Sequence, residues 1–341
     1  MALSIISGLN SVNHRKWKEL VINHPDGNAF QTPEIALVLN ATIGYTLLVL
    51  AAVEDDLYVG ILVAVLQKEF HWPMGYFSAR TVVWGGPLVD TAVSDPTLVS
   101  HTLIQELVKS CKNRSVYIEF RNLFNITSIA GIFDSLGFQY KEAINFHVRT
   151  STYLEAKPSI SSSKLRQVRK SMAAGAEIIV AKNKSEVLEF YAILENLYSN
   201  RVKKPLPHIS FFTGFLTSSM NSGCGIFLLI RYKGRIVGGI MCPVFNNKVM
   251  YEWYIGGLDQ DYREIYPSVL ATYAAINYAG TNNYTYFDFM GAGSPDVDYG
   301  VREFKSKFGG DQVNYGRFIK IFNKPLYSLA AFALKLKKKY L

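Results

Sequence analysis

Cysteine is scarce in this chain, with three in 341 residues (Cys111, Cys224 and Cys242). They lie far apart and form no C-x-x-C pair, which excludes a disulfide framework and a cysteine zinc site and leaves buried thiols as the expectation. The six histidines show no metal-ligand spacing, so no metal is expected. No serine or cysteine stands in a nucleophile-elbow or triad context, which argues for direct attack rather than a covalent intermediate. A membrane-spanning run is missing too. Residues 45–66 form the longest apolar stretch, but Glu54-Asp55-Asp56 interrupts it, at a cost that a spanning helix seldom bears. Two β-rich runs around an acidic turn predict a strand hairpin there. Residues 1–9 carry neither a basic n-region nor a small-residue cleavage site, so no signal peptide is expected and the cytoplasm is the expected compartment.

What the chain has in quantity is apolar and aromatic: 49% of it is hydrophobic, with 21 Tyr, 21 Phe and 4 Trp. With only 18% charged residues, this composition supports a large packed core rather than disorder. The length, as a soft guide, gives two domains. The formal net charge of +9 favours an anionic partner such as a nucleotide, tRNA, phospholipid or polyprenyl phosphate. Positive charge gathers at residues 164–170, 201–204 and 335–339. The last cluster would suit peripheral contact with the inner face of a membrane.

Element signals come in an order that repeats. In the first half, short helices at 14–23 and 33–41 precede strands at 46–53, 57–66 and 80–84. A helix opens at Asp95-Pro96, followed by a strand at 115–120, a helix at 126–136 and a strand at 138–149. In the second half, helix 164–174 precedes strand 177–181 and helices at 186–198 and 210–221. Three strands at 225–232, 235–245 and 248–255 are joined by Lys233-Gly234 and Asn246-Asn247 turns of hairpin type. A helix at 265–278, a strand at 284–289, a helix at 301–308, a strand at 311–322 and a last helix from Pro325 complete the chain. This order, given twice, is that of the GNAT acetyltransferase fold. The expected class is therefore α/β, two tandem GNAT-like domains with mixed sheets flanked by helices. Serine-rich residues 151–163, with Pro158, mark the junction. The expected domains are 1–155, completed by 323–341, and 156–322.

A GNAT domain that uses acetyl-CoA carries R/Q-x-x-G-x-G/A where its fourth strand meets a helix, offering backbone N–H groups to the pyrophosphate. Here the equivalent place reads Ile255-Gly256-Gly257-Leu258-Asp259-Gln260-Asp261-Tyr262-Arg263, which disfavours an ordinary CoA enzyme. Further on, Phe287-Asp288-Phe289-Met290-Gly291 precedes Arg302-Glu303-Phe304-Lys305-Ser306-Lys307-Phe308-Gly309-Gly310, an aromatic-rich strand and Asn323-Lys324-Pro325-Leu326-Tyr327. This succession resembles the C-terminal signature of the FemAB family. Its members transfer amino acids from aminoacyl-tRNA to peptidoglycan precursors and fold as two GNAT-like halves. Trp17 with residues 27–31 resembles the family's opening, and residues 165–175 resemble the basic helix that starts its second half.

The resemblance implies that Lys305 stabilises charge developing on the ester, with the peptide N–H groups around Phe304 and Lys305 assisting. Attack of an amine on an ester builds a tetrahedral oxyanion and a leaving alkoxide. A cation in a water-poor site stabilises that transition state more than the ground state. As a cleft residue, Lys305 is expected to matter to rate and little to stability, and Lys307 to be a solvated lysine. Arg201 matches a family arginine that contacts acceptor phosphate, and a guanidinium fork suits a phosphate. The helix end where it stands also favours a cation in its own right.

Other candidates come from the residues themselves. Arg166, Arg169 and Lys170 share one basic helix face, either a substrate surface or a solvated one. Glu252 and Tyr254 alternate with Trp253 on a strand and so are expected to point to the same side, where a carboxylate would accept the attacking amine's proton. Asp288 is a candidate for the same task, and Tyr315 joins the substrate-binding set. The chain reads Trp84-Gly85-Gly86-Pro87 where the family has R-G-P. It carries Ile35 and Leu39 where the family has a tryptophan and a phosphate-contacting lysine. The first functional reading is an aminoacyl or acyl transferase that forms an amide on an anionic envelope precursor, from aminoacyl-tRNA and without a cofactor. The second is an N-acyltransferase that uses acyl-CoA or acyl carrier protein on an amino sugar in capsule or lipopolysaccharide synthesis. The third is a non-catalytic protein of the same fold that binds an anionic ligand.

Overall fold

A computed structural model describes residues 3–68, 78–151, 160–297 and 300–329. In chain order it begins with β1 (Ser4–Ser7), α1 (His14–Asn23), α2 (Pro33–Asn40), β2 (Tyr45–Glu54) and β3 (Leu57–Gln67). There follow β4 (Arg80–Trp84), β5 (Leu88–Val89), α3 (Pro96–Cys111), β6 (Tyr117–Arg121), α4 (Ala130–Ser135) and β7 (Gln139–Lys141). Next come β8 (Ile144–Arg149), α5 (Ser162–Ala173), β9 (Glu177–Val180), α6 (Lys184–Leu197) and α7 (Ile209–Ser222). Strands β10 (Gly225–Tyr232), β11 (Arg235–Phe245), β12 (Val249–Tyr251) and β13 (Tyr254–Gly257) lead to α8 (Pro267–Thr281). The described chain ends with β14 (Tyr286–Asp288), α9 (Gly300–Ser306), β15 (Asp311–Asn314), β16 (Arg317–Ile321) and a helical turn at 324–329.

Two mixed eight-stranded sheets result. The first runs β1-β2-β3-β4-β6-β16-β7, with β5 on β3; the second runs β15-β8-β14-β12-β11-β10-β9, with β13 on β11. Each has one parallel pair, β4 with β6 and β12 with β14, among antiparallel neighbours. The expected hairpin forms: β2 pairs with β3 around Asp55 and Asp56, both at positive φ, as a two-residue hairpin turn requires.

The domain limits need correction. The units are Met1–Glu142 with Tyr315–Leu341, and Ala143–Asn314. Each of the strands expected at 138–149 and 311–322 is broken in two, and its halves serve different sheets. β7 pairs with β16 in the first sheet, and β8 with β15 in the second. At one crossing Gly316 takes φ +67, a conformation that glycine adopts without strain. The apolar positions decide the sorting. Ile144, Phe146 and Val148 of β8 bury in the second core. Phe318 of β16 buries in the first, stacked on Phe133 with ring centroids 4.3 Å apart. Tyr327 meets Tyr117 edge-to-face at 5.3 Å, so the segment after β16 also joins the first unit. The lysine-rich tail, for which membrane contact was expected, lies outside the described residues.

The opening motif proves to be scaffolding. Buried Trp17 donates its indole N–H to the Gln31 carbonyl (2.6 Å). The Gln31 side chain in turn donates to Val63 O (3.2 Å) and Trp84 O (2.8 Å) and accepts from Val63 N–H (2.8 Å). A Cβ on Gly86 would come within 2.8 Å of that amide. Ile35 and Leu39 are core residues of α2, at 0% and 1% exposure. Among the described residues no helix is long and apolar enough to cross a membrane.

Candidate active site

β11 is the partner of both β12 and β13. Its register passes from Val244↔Met250 to Met241↔Tyr254, three residues on one strand against four on the other. Glu252 and Trp253 occupy that bulge. The Glu252 N–H turns to the Asp288 carbonyl of β14 (2.8 Å), while the Trp253 N–H returns to Met241 O (3.0 Å). A bulge re-aims side chains, and this one undoes the expected alternation. Trp253 and Tyr254, though successive, both pack on Phe211 of α7, with centroids at 4.8 and 5.7 Å. Tyr254 also meets Phe212 at 5.1 Å and Tyr198 at 6.2 Å. Glu252 meets a different partner, Lys305.

Lys305 stands in the last turn of α9, with its side chain 9% exposed. Its Nζ lies 2.8 Å from Glu252 Oε1 and donates to Phe289 O (2.7 Å) and Gly291 O (2.8 Å). The Phe289 ring centroid is 5.2 Å away. An ammonium has three N–H donors, and these partners take all three. The expected cleft lysine is therefore a buried, fully bonded cation, because the short α9 brings it against the end of β14 rather than into solvent. Among the described residues Glu252 Oε2 is buried without a hydrogen-bond partner. Burial pushes the Glu252 carboxyl up from its ordinary value, Lys305 pulls it back, and Asp288 adds to the rise. Burial, with Glu252 adding to it, also pushes the nearby Cys242 thiol well up.

The loop 289–297 beside this pair is held by its backbone. Asp288, 1% exposed, accepts on Oδ1 from Asn145 Nδ2 and Met290 N, both at 2.6 Å. Its Oδ2 lies 3.2 Å from His147 Nε2, and the His147 ring stacks on Tyr286 at 4.9 Å. Asn145 Oδ1 accepts from Gly291 N (2.7 Å). These bonds support Met290 at φ +58, a left-handed conformation costly for a non-glycine residue. Arg302, one turn before Lys305, donates to Ala292 O (3.2 Å), Pro295 O (3.4 Å), Val297 O (3.0 Å) and Ser294 O. The two α9 cations thus clamp one loop from the same helix.

The other expected residues lie elsewhere. Phe304 is half-buried, with Lys164 Nζ 4.4 Å above its ring and Phe308 at 5.1 Å. Lys307 is exposed and pairs with Glu303 at 2.6 Å. Arg166 and Arg169 are exposed on α5, and Arg201 is exposed in the turn Tyr198–Val202; none has an ion-pair partner among the described residues. Tyr315 belongs to the first unit, where its carbonyl accepts from Asn122 (2.8 Å). Sequence reasoning missed Asn145, His147 and Arg302. The alternation of Asn145, His147 and Arg149 against Ile144, Phe146 and Val148 carried the signal, but on a strand assigned to the other half.

The Acetyltransferase (GNAT) domain family matches residues 161–306, from α5 to the end of α9. Aminoacyltransferase FemA of Staphylococcus epidermidis is 38% identical over 91 residues, 25% of this chain and 22% of FemA. The match thus spans about a fifth of that relative's length. The crystal structure of FemX shares the fold with a TM-score of 0.70 at 15% identity, over 96% of this chain and 99% of that one. The chain has a tandem GNAT fold, with a GNAT domain in its second unit and a stretch similar to FemA. A tandem GNAT protein from the clavulanic acid biosynthesis pathway shares this fold too, with a TM-score of 0.58 at 11% identity over 94% of this chain and 99% of that one.

Proposed function

We propose that this protein is an acyltransferase that forms an amide on an anionic cell-envelope precursor, with an aminoacyl-tRNA ester as donor. The observation that carries the reading is the Lys305–Glu252 pair, buried in the bulge beside the parallel strands β12 and β14. An acceptor amine attacks the donor carbonyl, the C–N bond forms, and the carbonyl oxygen becomes an oxyanion. Glu252, whose burial raises its proton affinity, takes the amine's proton through its unbonded Oε2. The C–O bond to the donor ribose then breaks, and the proton passes to the leaving oxygen. Lys305 supplies positive potential in a water-poor site and holds Glu252 in place, since its own N–H groups are committed.

Arg201, Arg166 and Arg169, exposed and without ion-pair partners among the described residues, provide cations for the phosphates of donor or acceptor. The loop 255–263, which lacks the CoA-type glycine pattern, weighs against an acyl thioester donor. Thermal-shift titration with charged tRNA and with acyl-CoA tests the choice. Stabilisation by aminoacyl-tRNA alone supports the reading, and stabilisation by acyl-CoA alone replaces the donor.

A further inference from the structure

Two carboxylates lie out of water in the second unit, Glu252 and Asp288, with side chains 4% and 1% exposed. The backbone joins them, because the Glu252 N–H donates to the Asp288 carbonyl (2.8 Å) where β12 runs beside β14. Lys305 pairs with Glu252 and supplies one positive charge. Two buried anions against one cation leave a charge that a water-poor site holds only at high cost. Among the described residues, the group in contact with these carboxylates that can supply a second charge is His147. Its Nε2 lies 3.2 Å from Asp288 Oδ2.

Asp288 is held from one side. Its Oδ1 accepts from Asn145 Nδ2 and Met290 N, both at 2.6 Å. Its Oδ2, like Glu252 Oε2, is buried without an aligned hydrogen bond among the described residues, so the His147 contact is one of charge and distance. The Asp288 charge also reaches Glu252, where it adds to the rise that burial imposes on that carboxyl. His147, with its side chain 14% exposed, is the member of the trio nearest to water.

The other groups that face the His147 ring are few. Tyr286 of β14 stacks on it at 4.9 Å, and Asn145 Nδ2 lies 3.4 Å from Nε2. Asp311 of β15 stands opposite in register, but pairs with Arg149 at 3.4 Å between exposed side chains. Tyr251, opposite Asp288 on β12, stays neutral, since burial pushes its phenol well up and Tyr286 and Asp288 add to the rise.

We propose that His147 is a positioning residue for the proposed acyl transfer: acting through Asp288, it shares one exchangeable proton with Glu252. While His147 is charged, it balances Asp288 and leaves Glu252 ionised beside Lys305, ready to accept. When Glu252 takes the amine's proton, the site carries one positive charge too many and His147 gives its N–H proton to solvent water. Reversal of the two steps restores the site, and no bond between heavy atoms changes in either. A histidine held only for its packing on Tyr286 would leave Glu252 to titrate by itself.

NMR titration of the Glu252 carboxyl in the full chain, with its signal assigned by loss in Glu252→Gln, tests the proposal. His147→Gln removes the balancing cation and should raise the Glu252 midpoint by about half a pH unit or more. Asp288→Asn, which keeps the Oδ1 acceptor, should lower it by about as much. Glu303→Gln, at an exposed carboxylate paired with Lys307, should leave it within about 0.2 unit. A midpoint unmoved by His147→Gln, or moved equally by Glu303→Gln, overturns the proposal. Should the variants fail to fold, the native chain decides: the His147 imidazole signals should shift over the same pH range as the Glu252 carboxyl, and separate ranges overturn it. The proposal rests on Glu252 as proton acceptor, but the titration needs no substrate. Coupling can therefore fail while acyl transfer survives, and a coupled pair in an inactive protein would count against the transfer reading alone.

Discussion

Lys305 Nζ lies 2.8 Å from Glu252 Oε1, between side chains only 9% and 4% exposed. A charge pair so far from water is weak evidence for net stability but fragile to the loss of one member. Lys305→Ala is therefore expected to destabilise the protein by about 3–5 kcal/mol, because Glu252 and two carbonyls lose their cation. Lys307→Ala, at an exposed i,i+4 pair, should stay within about 0.5 kcal/mol. Denaturant unfolding of both variants checks this, and equal stabilities contradict the buried-pair account. The two expected effects of Lys305, on rate and on stability, then need separation by Lys305→Met/Glu252→Gln, whose loss should be smaller than the sum of the singles.

Glu252 as proton acceptor predicts a pH profile. Its carboxyl is raised by burial, so the rate of transfer should climb with pH through a midpoint above the ordinary carboxylate value. The sign for stability is the reverse: a raised acid makes the fold less stable as pH rises through that range. Glu252→Gln should lower kcat by roughly 10²–10⁴-fold and remove the acidic limb. Rate profiles of native and variant enzyme decide the point, and an unchanged limb in the variant assigns the proton elsewhere.

Glu119 titrates the other way. Burial raises it, but Arg121 and Arg317 prevail and hold the carboxyl at about 2, against an ordinary 4.5. A depressed acid stabilises the fold above its unfolded value, and that contribution is lost as pH falls from 4.5 toward 2. The difference corresponds to roughly 3 kcal/mol at 1.36 kcal/mol per pH unit. Melting curves between pH 5 and pH 3 should steepen for the native chain and flatten for Glu119→Gln, and parallel curves contradict the assignment.

Arg302 should control the loop it clamps. Arg302→Ala frees the carbonyls of Ala292, Ser294, Pro295 and Val297. Hydrogen exchange across residues 290–297 is expected to rise, with a global cost of about 1.5–3 kcal/mol for the charged bonds. Unaltered exchange there removes the clamp.

Much of this architecture was legible in the sequence. Asp55-Asp56 marked the first hairpin, Asp95-Pro96 opened α3, and the spacing of Arg302 to Gly310 located α9 and its lysine. The sorting of strands was not legible, because Ile144, Phe146 and Val148 read as a strand face in either sheet. The bulge at Glu252-Trp253 was hidden for a related reason. One extra residue leaves composition unchanged and shows only in the register against β11. The burial of Lys305 follows from three carbonyl and carboxylate partners that lie 14 to 53 positions away in the chain, beyond the reach of any local pattern.

On the proposed function, the buried Glu252–Lys305 pair runs an acyl transfer to an envelope precursor. Mass spectrometry of precursors from cells that lack the protein, carry it, or carry Glu252→Gln at matched abundance tests it most directly. A precursor heavier by one amide-linked aminoacyl or acyl group is expected in the native strain alone. The same precursor masses in all three strains would contradict it.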